Sequence, residues 1–171
     1  MHPHAALIMS FYEAFSRHDS KAMAACYHPA VVFSDPVFGE LRGNEAREMW
    51  AMLCHRAIDL HVTYYDVVAD DTIGRAHWDA HYTFSPTGRP VHNSITAGFA
   101  FKDGLIARHM DRFSFWRWSR QALGPAGLWL GWTPFLTAKV RATARAGLRD
   151  WVRNGGQDHS RDLYGTVPDA S

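Results

Sequence analysis

The chain predicts an α+β fold, with helices packed on one face of a curved, mostly antiparallel sheet. Three observations carry this. Up to about residue 56 the apolar residues recur at helical spacing, with one strand-like interruption. After Ile58 the pattern changes to long alternating segments. These are separated by compact turn signals, Asp70-Asp71, Pro86-Thr87-Gly88 and Asp103-Gly104, which suit an antiparallel meander.

Residues 4–17 place Leu7, Phe11 and Phe15 on one helical stripe, with Ile8 and Tyr12 beside them. Asp19 and Ser20 cap a second helix to about Tyr27. Residues 30–35 and 37–41 then read as a short hairpin around Asp35-Pro36. Gly43-Asn44 opens a third helix over about 45–56, with Met49, Trp50 and Leu53 inward. Four strands follow, over about 59–69, 72–84, 91–102 and 105–117. Two units are expected: 1–118 as the helix-and-sheet domain, and 119–171 as an extension. The extension holds an apolar, Trp-rich run (Gly124–Leu136), a basic helix and a polar tail over 154–171. Along the basic helix Arg141, Arg145, Arg149 and Arg153 recur every fourth residue beside a stripe of Val140, Ala144, Leu148 and Val152. It has three readings, in this order: a solvated or packing face, a lid in which GLWLGWTPFL folds over the domain, and contact with anionic lipid.

Composition narrows the function classes. At 171 residues the chain can bury one real core, and 47% hydrophobic against 20% charged residues marks it as globular. A net charge of +1 gives no footprint for nucleic acid. The two cysteines, Cys26 and Cys54, lack metal-ligand spacing and read as free thiols in a reducing compartment. MHPHAALIMSF shows no signal-peptide pattern, and no apolar run is long enough to span a bilayer, so a cytoplasmic protein is expected.

The most informative stretch is Phe11–Gly43. It contains an apolar strand, Ala30-Val31-Val32-Phe33, ending in Ser34-Asp35-Pro36-Val37-Phe38-Gly39. A carboxylate there meets little water, and burial raises its pKa toward the range useful for proton transfer. The bland reading, a turn aspartate before proline, weighs about equally. Strand parity supplies partners. In 75–84 the apolar face is Ala76, Trp78, Ala80, Tyr82 and Phe84; in 105–117 it is Leu105, Ala107, His109, Asp111, Phe113 and Phe115. His109 and Asp111 thus point with apolar residues toward the helices. The bland reading makes His109 a satisfied core histidine and pairs Asp111 with an arginine. Arg75, His77, Asp79, His81 and Thr83 fall on the other face. Two imidazoles and a carboxylate could ligate a metal, but parity puts them on the outer side, and no metal is expected.

The order helix, helix, strand ending in Asp-Pro, helix, four-strand meander resembles the nuclear transport factor 2-like superfamily. This is the cone-shaped (cystatin-like) α+β fold of ketosteroid isomerase, limonene epoxide hydrolase and SnoaL-like polyketide cyclases. The resemblance covers about Ala5–Trp118 and rests on DPVFG (35–39), SPTGRPVHNSITAGFAFKDGLI (85–106) and HMDRF (109–113). It implies a general base at Asp35 and an acid/base aspartate at Asp111, with His109 between them. It also implies a cofactor-free pocket enzyme for a small apolar ligand and a homodimer formed through the sheet. The oxyanion tyrosine and second aspartate of ketosteroid isomerase fall on Phe11 (Tyr12 is next door) and Ala97; the Arg-x-Asp of the epoxide hydrolase falls on Trp78 and Ala80. A one-residue slip would offer His77 and Asp79 instead. The expected site is therefore Asp35, His109 and Asp111 in a cavity walled by Phe11, Tyr12, Phe33, Trp50, Trp78, Tyr82 and Phe113. The chemistry is isomerase, cyclase or epoxide-hydrolase-type acid/base work. The alternative is a non-catalytic binding or assembly module of the same fold.

Overall fold

A computed structural model describes residues 1–156. The elements run α1 (Pro3–Ser16), α2 (Ser20–Ala25), β1 (Tyr27–Asp35), β2 (Gly39–Arg42), α3 (Asn44–Arg56), β3 (His61–Ala69), β4 (Ile73–Phe84), β5 (Arg89–Lys102), β6 (Leu105–Arg112), α4 (Phe115–Leu123), α5 (Pro125–Leu130) and α6 (Pro134–Arg153). One six-stranded sheet has the order β2-β1-β6-β5-β4-β3. Every pair is antiparallel except β1 with β6, so the sheet is mixed, with its first strand returning beside its last.

Local chemistry explains the helix starts. Pro3 opens α1, where its missing N–H costs nothing. Asp19 caps α2 by accepting the Ala22 N–H at 3.0 Å. Helix α1 buries Ile8, Phe11, Tyr12 and Phe15 against the sheet. Phe11 and Tyr12 are neighbours in sequence and both are fully buried, so the apolar stripe is wider than one residue per turn.

Register places the site. Phe33 pairs with His109 and Ser34 with Met110 across β1 and β6; Phe99 pairs with His109 and Ala97 with Asp111 across β5 and β6. Continuing one step along β1 brings Asp35 beside Asp111 on the same, inner face. The sheet bends where its register shifts, in β3 between Tyr65 and Val68 and in β5 between Ala100 and Phe101. The second shift turns Ile106 into the core, although simple alternation assigns it to the outer face.

Three expected boundaries are corrected. The last strand ends at Arg112, not 117: the Ser114 side chain accepts the Arg117 N–H at 3.2 Å and starts α4, so Phe115 is helical. The return strand of the hairpin is Gly39–Arg42, not 37–41, because the Asp35 carboxylate holds the intervening residues in a turn. The second helix stops at Ala25, and Tyr27 already belongs to β1.

The extension packs onto the domain. Leu148 and Trp151 of α6 belong to the main hydrophobic core, and Trp151 donates its indole N–H to Glu48 at 3.0 Å. Arg145 donates to the Phe38 carbonyl at 2.8 Å and also to that of Glu40; Arg141 donates to the Pro36 carbonyl at 3.3 Å. Of the four-residue arginine stripe, Arg141 and Arg145 are therefore packing groups that strap α6 across the Asp35–Glu40 turn, while Arg149 and Arg153 are solvated. The GLWLGWTPFL run does not close over the domain as a lid: Trp129, Trp132 and Phe135 stand in solvent. From Gln157 on, the expected polar tail lies outside the described residues.

Candidate active site

His109 sits at the centre of the inner face and is completely buried. Its two ring nitrogens lie in a chain of hydrogen bonds that runs from the indole of Trp50, which can only donate, to the carboxylate of Asp111, which can only accept. Trp50 Nε1–H donates to the Tyr27 hydroxyl at 2.8 Å. The Tyr27 O–H is then directed to His109 Nδ1, 2.7 Å away. Facing a carboxylate that can only accept, Nε2–H donates to Asp111 Oδ1 at 3.0 Å. Trp78 Nε1–H donates to the same oxygen at 3.3 Å. The second oxygen of Asp111 accepts nothing from the described residues.

Aromatic rings hold this chain in place. Trp50 stacks on His109 with 5.9 Å between centroids and 16° between planes, and Phe33 and Phe11 meet the imidazole edge-on, each at 5.3 Å. Tyr12 packs against Trp78 at 5.9 Å. Its hydroxyl is buried and has no hydrogen-bond partner among the described residues. Burial, then the charge of Asp111, lifts the Tyr12 phenol well above its usual pKa, so it stays a donor without an acceptor.

Asp35 differs from Asp111 in being partly accessible. Burial pushes its carboxyl up to about 7, and the charge of Asp111 pushes the same way. The backbone N–H groups of Phe38, Val37 and Gly39 oppose this; Phe38 donates to Oδ1 at 2.6 Å. The residue that closes the turn thus also has its proton affinity raised. Tyr82 lies close enough for the Asp35 charge to add to the effect of burial on its phenol, and its hydroxyl accepts from Trp118 at 2.9 Å. Val37, Tyr82 and Phe113 pack against both the main core and a small cluster of Val91, Trp118 and Ala122. A surface groove of about 380 Å³ is lined by Asp59, His81, Thr83, His92 and Gln121 together with Tyr82 and Val91; Asp35, His109 and Asp111 do not line it.

The expected residues are therefore gathered as follows. Asp35, His109 and Asp111 share one face, with Phe11, Tyr12, Phe33, Trp50 and Trp78 around the imidazole, and Tyr82 and Phe113 packed between the main core and the smaller cluster. The rings fill the space around His109 by mutual contact. His77 and Asp79 lie on the opposite face: Thr96 reaches His77 at 3.2 Å, and Asp79 faces His92 at 3.6 Å. The slipped Arg-x-Asp position thus points away from the site. Among the described residues no group of three or more His, Cys, Asp or Glu side chains gathers to hold a metal ion. Sequence reasoning missed Tyr27 and Trp118. Tyr27 shares the odd-numbered parity of Phe33 and Asp35, but its sequence context reads as the end of a helix, where strand parity has no meaning.

Comparison with known proteins agrees with this architecture. A family model described as a SnoaL-like domain matches residues 8–109. The chain belongs to the SnoaL-like family. The match ends at His109, two residues before Asp111. A proposed polyketide cyclase from Xanthomonas campestris pv. campestris is 25% identical, with 70% of this chain and 96% of that one aligned at a TM-score of 0.57. IdmH, a proposed polyketide cyclase from Streptomyces antibioticus, aligns at 20% identity and TM-score 0.59 over 71% and 98% of the two chains. An epoxide hydrolase from M. tuberculosis resembling limonene epoxide hydrolase aligns at 17% and 0.60, over 75% and 93%. No curated protein matches the chain. The SnoaL-like protein thus shares the nuclear transport factor 2-like fold of ketosteroid isomerase-like proteins, and α5 and α6 follow that shared core.

Proposed function

We propose that this SnoaL-like protein is a cofactor-free enzyme that moves a proton on a small, flat, largely apolar molecule with one polar handle. The observation that carries this reading is the pairing of Asp35 and Asp111. Two carboxyls meet on one inner face, one partly accessible with its pKa lifted to about 7, the other buried and held by two N–H donors. In such a pair the unlike environments separate two roles: the charge of the buried Asp111 helps to hold up the proton affinity of Asp35, and the accessible Asp35 carries the proton. Asp35, ionised above its raised pKa, takes a proton from carbon next to a carbonyl. The electron pair moves onto the carbonyl oxygen. The proton then returns from Asp35 at the same or another carbon, so no atom is gained or lost.

The reading agrees with structural relatives that are themselves proposed to be polyketide cyclases. The epoxide-hydrolase variant has less support, because Trp78 and Ala80 stand where an arginine and an aspartate would be needed. The filled ring packing around His109 favours a second reading, a binding module that holds such molecules without turning them over. In either reading the exposed outer sheet face, with Tyr65 stacked on His77 and His81 on His92, is the surface through which two copies pair.

The test is solvent deuterium exchange at the α-carbons of 2-tetralone, a flat aromatic ketone, followed by proton NMR. The protein is expected to accelerate exchange over buffer, with a rate that rises through about pH 7. Saturable binding without exchange would establish the binding module. Neither binding nor exchange would remove this ligand class.

A further inference from the structure

Five of the large apolar side chains that stand exposed come from one eight-residue stretch at the corner of α5 and α6: Leu128, Trp129, Leu130, Trp132 and Phe135. Trp129, Trp132 and Phe135 are 73%, 75% and 70% exposed, far beyond what a packing role requires. Trp116 of α4 adjoins them, donating its indole N–H to the Leu128 carbonyl at 3.2 Å. Exposed aromatics this dense mark an interaction surface, not ordinary surface scatter.

The corner is rigidly built. A Cβ on Gly127 would lie 1.9 Å from the Ser119 carbonyl oxygen, and one on Gly131 would lie 2.2 Å from the Ser119 hydroxyl, so glycine lets α5 press directly onto α4. The Trp132 indole is tied to the Trp129 carbonyl at 3.0 Å. The rings are held outward by a fixed backbone.

Charge selects the partner. From Phe115 to Arg153 there are seven Arg and Lys residues against Asp150 alone, while residues 1–114 carry ten against thirteen acids. The net positive charge therefore lies in the segment that bears the aromatic corner. Arg120 lies over the Trp116 ring at 4.8 Å, and Lys139 is exposed one turn beyond Phe135. Tryptophan rings flanked by cations suit the headgroup layer of an anionic bilayer, where rings enter the interface and cations meet lipid phosphate. No helix of the described residues is long and apolar enough to cross a membrane, so the contact is peripheral.

We infer that the α5–α6 corner is a peripheral anchor for an anionic lipid surface, with Trp129, Trp132 and Phe135 entering the interface and Arg120 and Lys139 engaging headgroups. The full chain is to be mixed with vesicles of phosphatidylcholine alone or with about a third phosphatidylglycerol, and bound protein measured by flotation. Binding is expected to be several-fold stronger with the anionic lipid and to weaken at high salt, since charge pairs at a surface are screened. Trp129→Ala/Trp132→Ala should cut binding at least about tenfold, because two large rings no longer leave water. Arg120→Glu/Lys139→Glu should abolish the lipid selectivity while leaving the rings in place. Circular dichroism identical to the parent shows that both variants fold. Binding to neither vesicle, equal binding to both, or binding unchanged in the tryptophan variant would overturn the assignment. So would a dimer in sedimentation that the tryptophan variant abolishes, since the corner would then be covered by a second copy.

Discussion

Replacing Asp35 by asparagine is expected to cut the proton-exchange rate by about 10²–10⁴-fold, the usual worth of a positioned general base, and at the same time to stabilise the protein at neutral pH. Both effects follow from one cause. Burial raises the carboxyl from 3.8 to about 7, so between those values the folded protein holds a proton that the unfolded chain has lost. Where the native state binds more protons, stability falls as pH rises. The parent should therefore lose stability from about pH 4 to pH 7 and level off above. At about 1.36 kcal/mol for each pH unit between the unfolded and folded values, the loss is at most about 4 kcal/mol. Asparagine keeps an oxygen for the Phe38 N–H but carries no charge, so in Asp35→Asn this decline should vanish. Urea unfolding at pH 5 and pH 8 measures it. A decline of the same size in the variant would assign the pH dependence to another group.

Tyr27→Phe is expected to be the most costly single-atom change in the site. The Tyr27 hydroxyl is both the acceptor for the Trp50 indole and the donor to His109 Nδ1, and all three groups are buried. Removing it leaves a donor and an acceptor without partners in a place water does not reach. Each such orphan costs about 1–3 kcal/mol, so a loss of about 2–6 kcal/mol is expected in urea unfolding at pH 7. Turnover should fall much less than in Asp35→Asn, because Tyr27 positions the imidazole and does not touch the ligand. A stability change below about 0.5 kcal/mol would mean that the chain of hydrogen bonds contributes little.

Much of this arrangement is legible from period and parity. The inward set of β4 is the one that alternation marks, and the pairing of His109 and Asp111 with apolar neighbours in β6 needs only the two-residue repeat. The placement of Asp35 beside them needs the parallel pairing of β1 with β6, which the resemblance implies and local pattern alone does not. What escapes is governed by long-range contact. Tyr27 looks like the last turn of a helix, since its partners His109 and Trp50 lie far along the chain. Ile106 turns inward through a register shift that alternation cannot anticipate. The arginine stripe of α6 reads as a solvated or packing face, yet whether Arg141 and Arg145 meet water or carbonyls depends on where the Asp35–Glu40 turn lies in space.

The arrangement also links site and extension. The backbone that α6 straps through Arg141 and Arg145 is the turn whose N–H groups restrain the Asp35 pKa. A SnoaL-like core of this kind can therefore tune its accessible carboxylate from outside the shared fold, through residues that follow the strands.

Everything proposed for the site depends on Asp35 and Asp111 forming an interacting pair in which Asp35 carries the raised proton affinity. Carbon-13 NMR of the aspartate carboxyls across pH 3–9, in the parent and in Asp111→Asn, measures this directly. Asp35 is expected to titrate at about 7 in the parent and at a lower value in Asp111→Asn, where one neighbouring charge is gone. Titration of Asp35 near the ordinary aspartate value of about 4, or a value that Asp111→Asn leaves unmoved, would contradict the pairing.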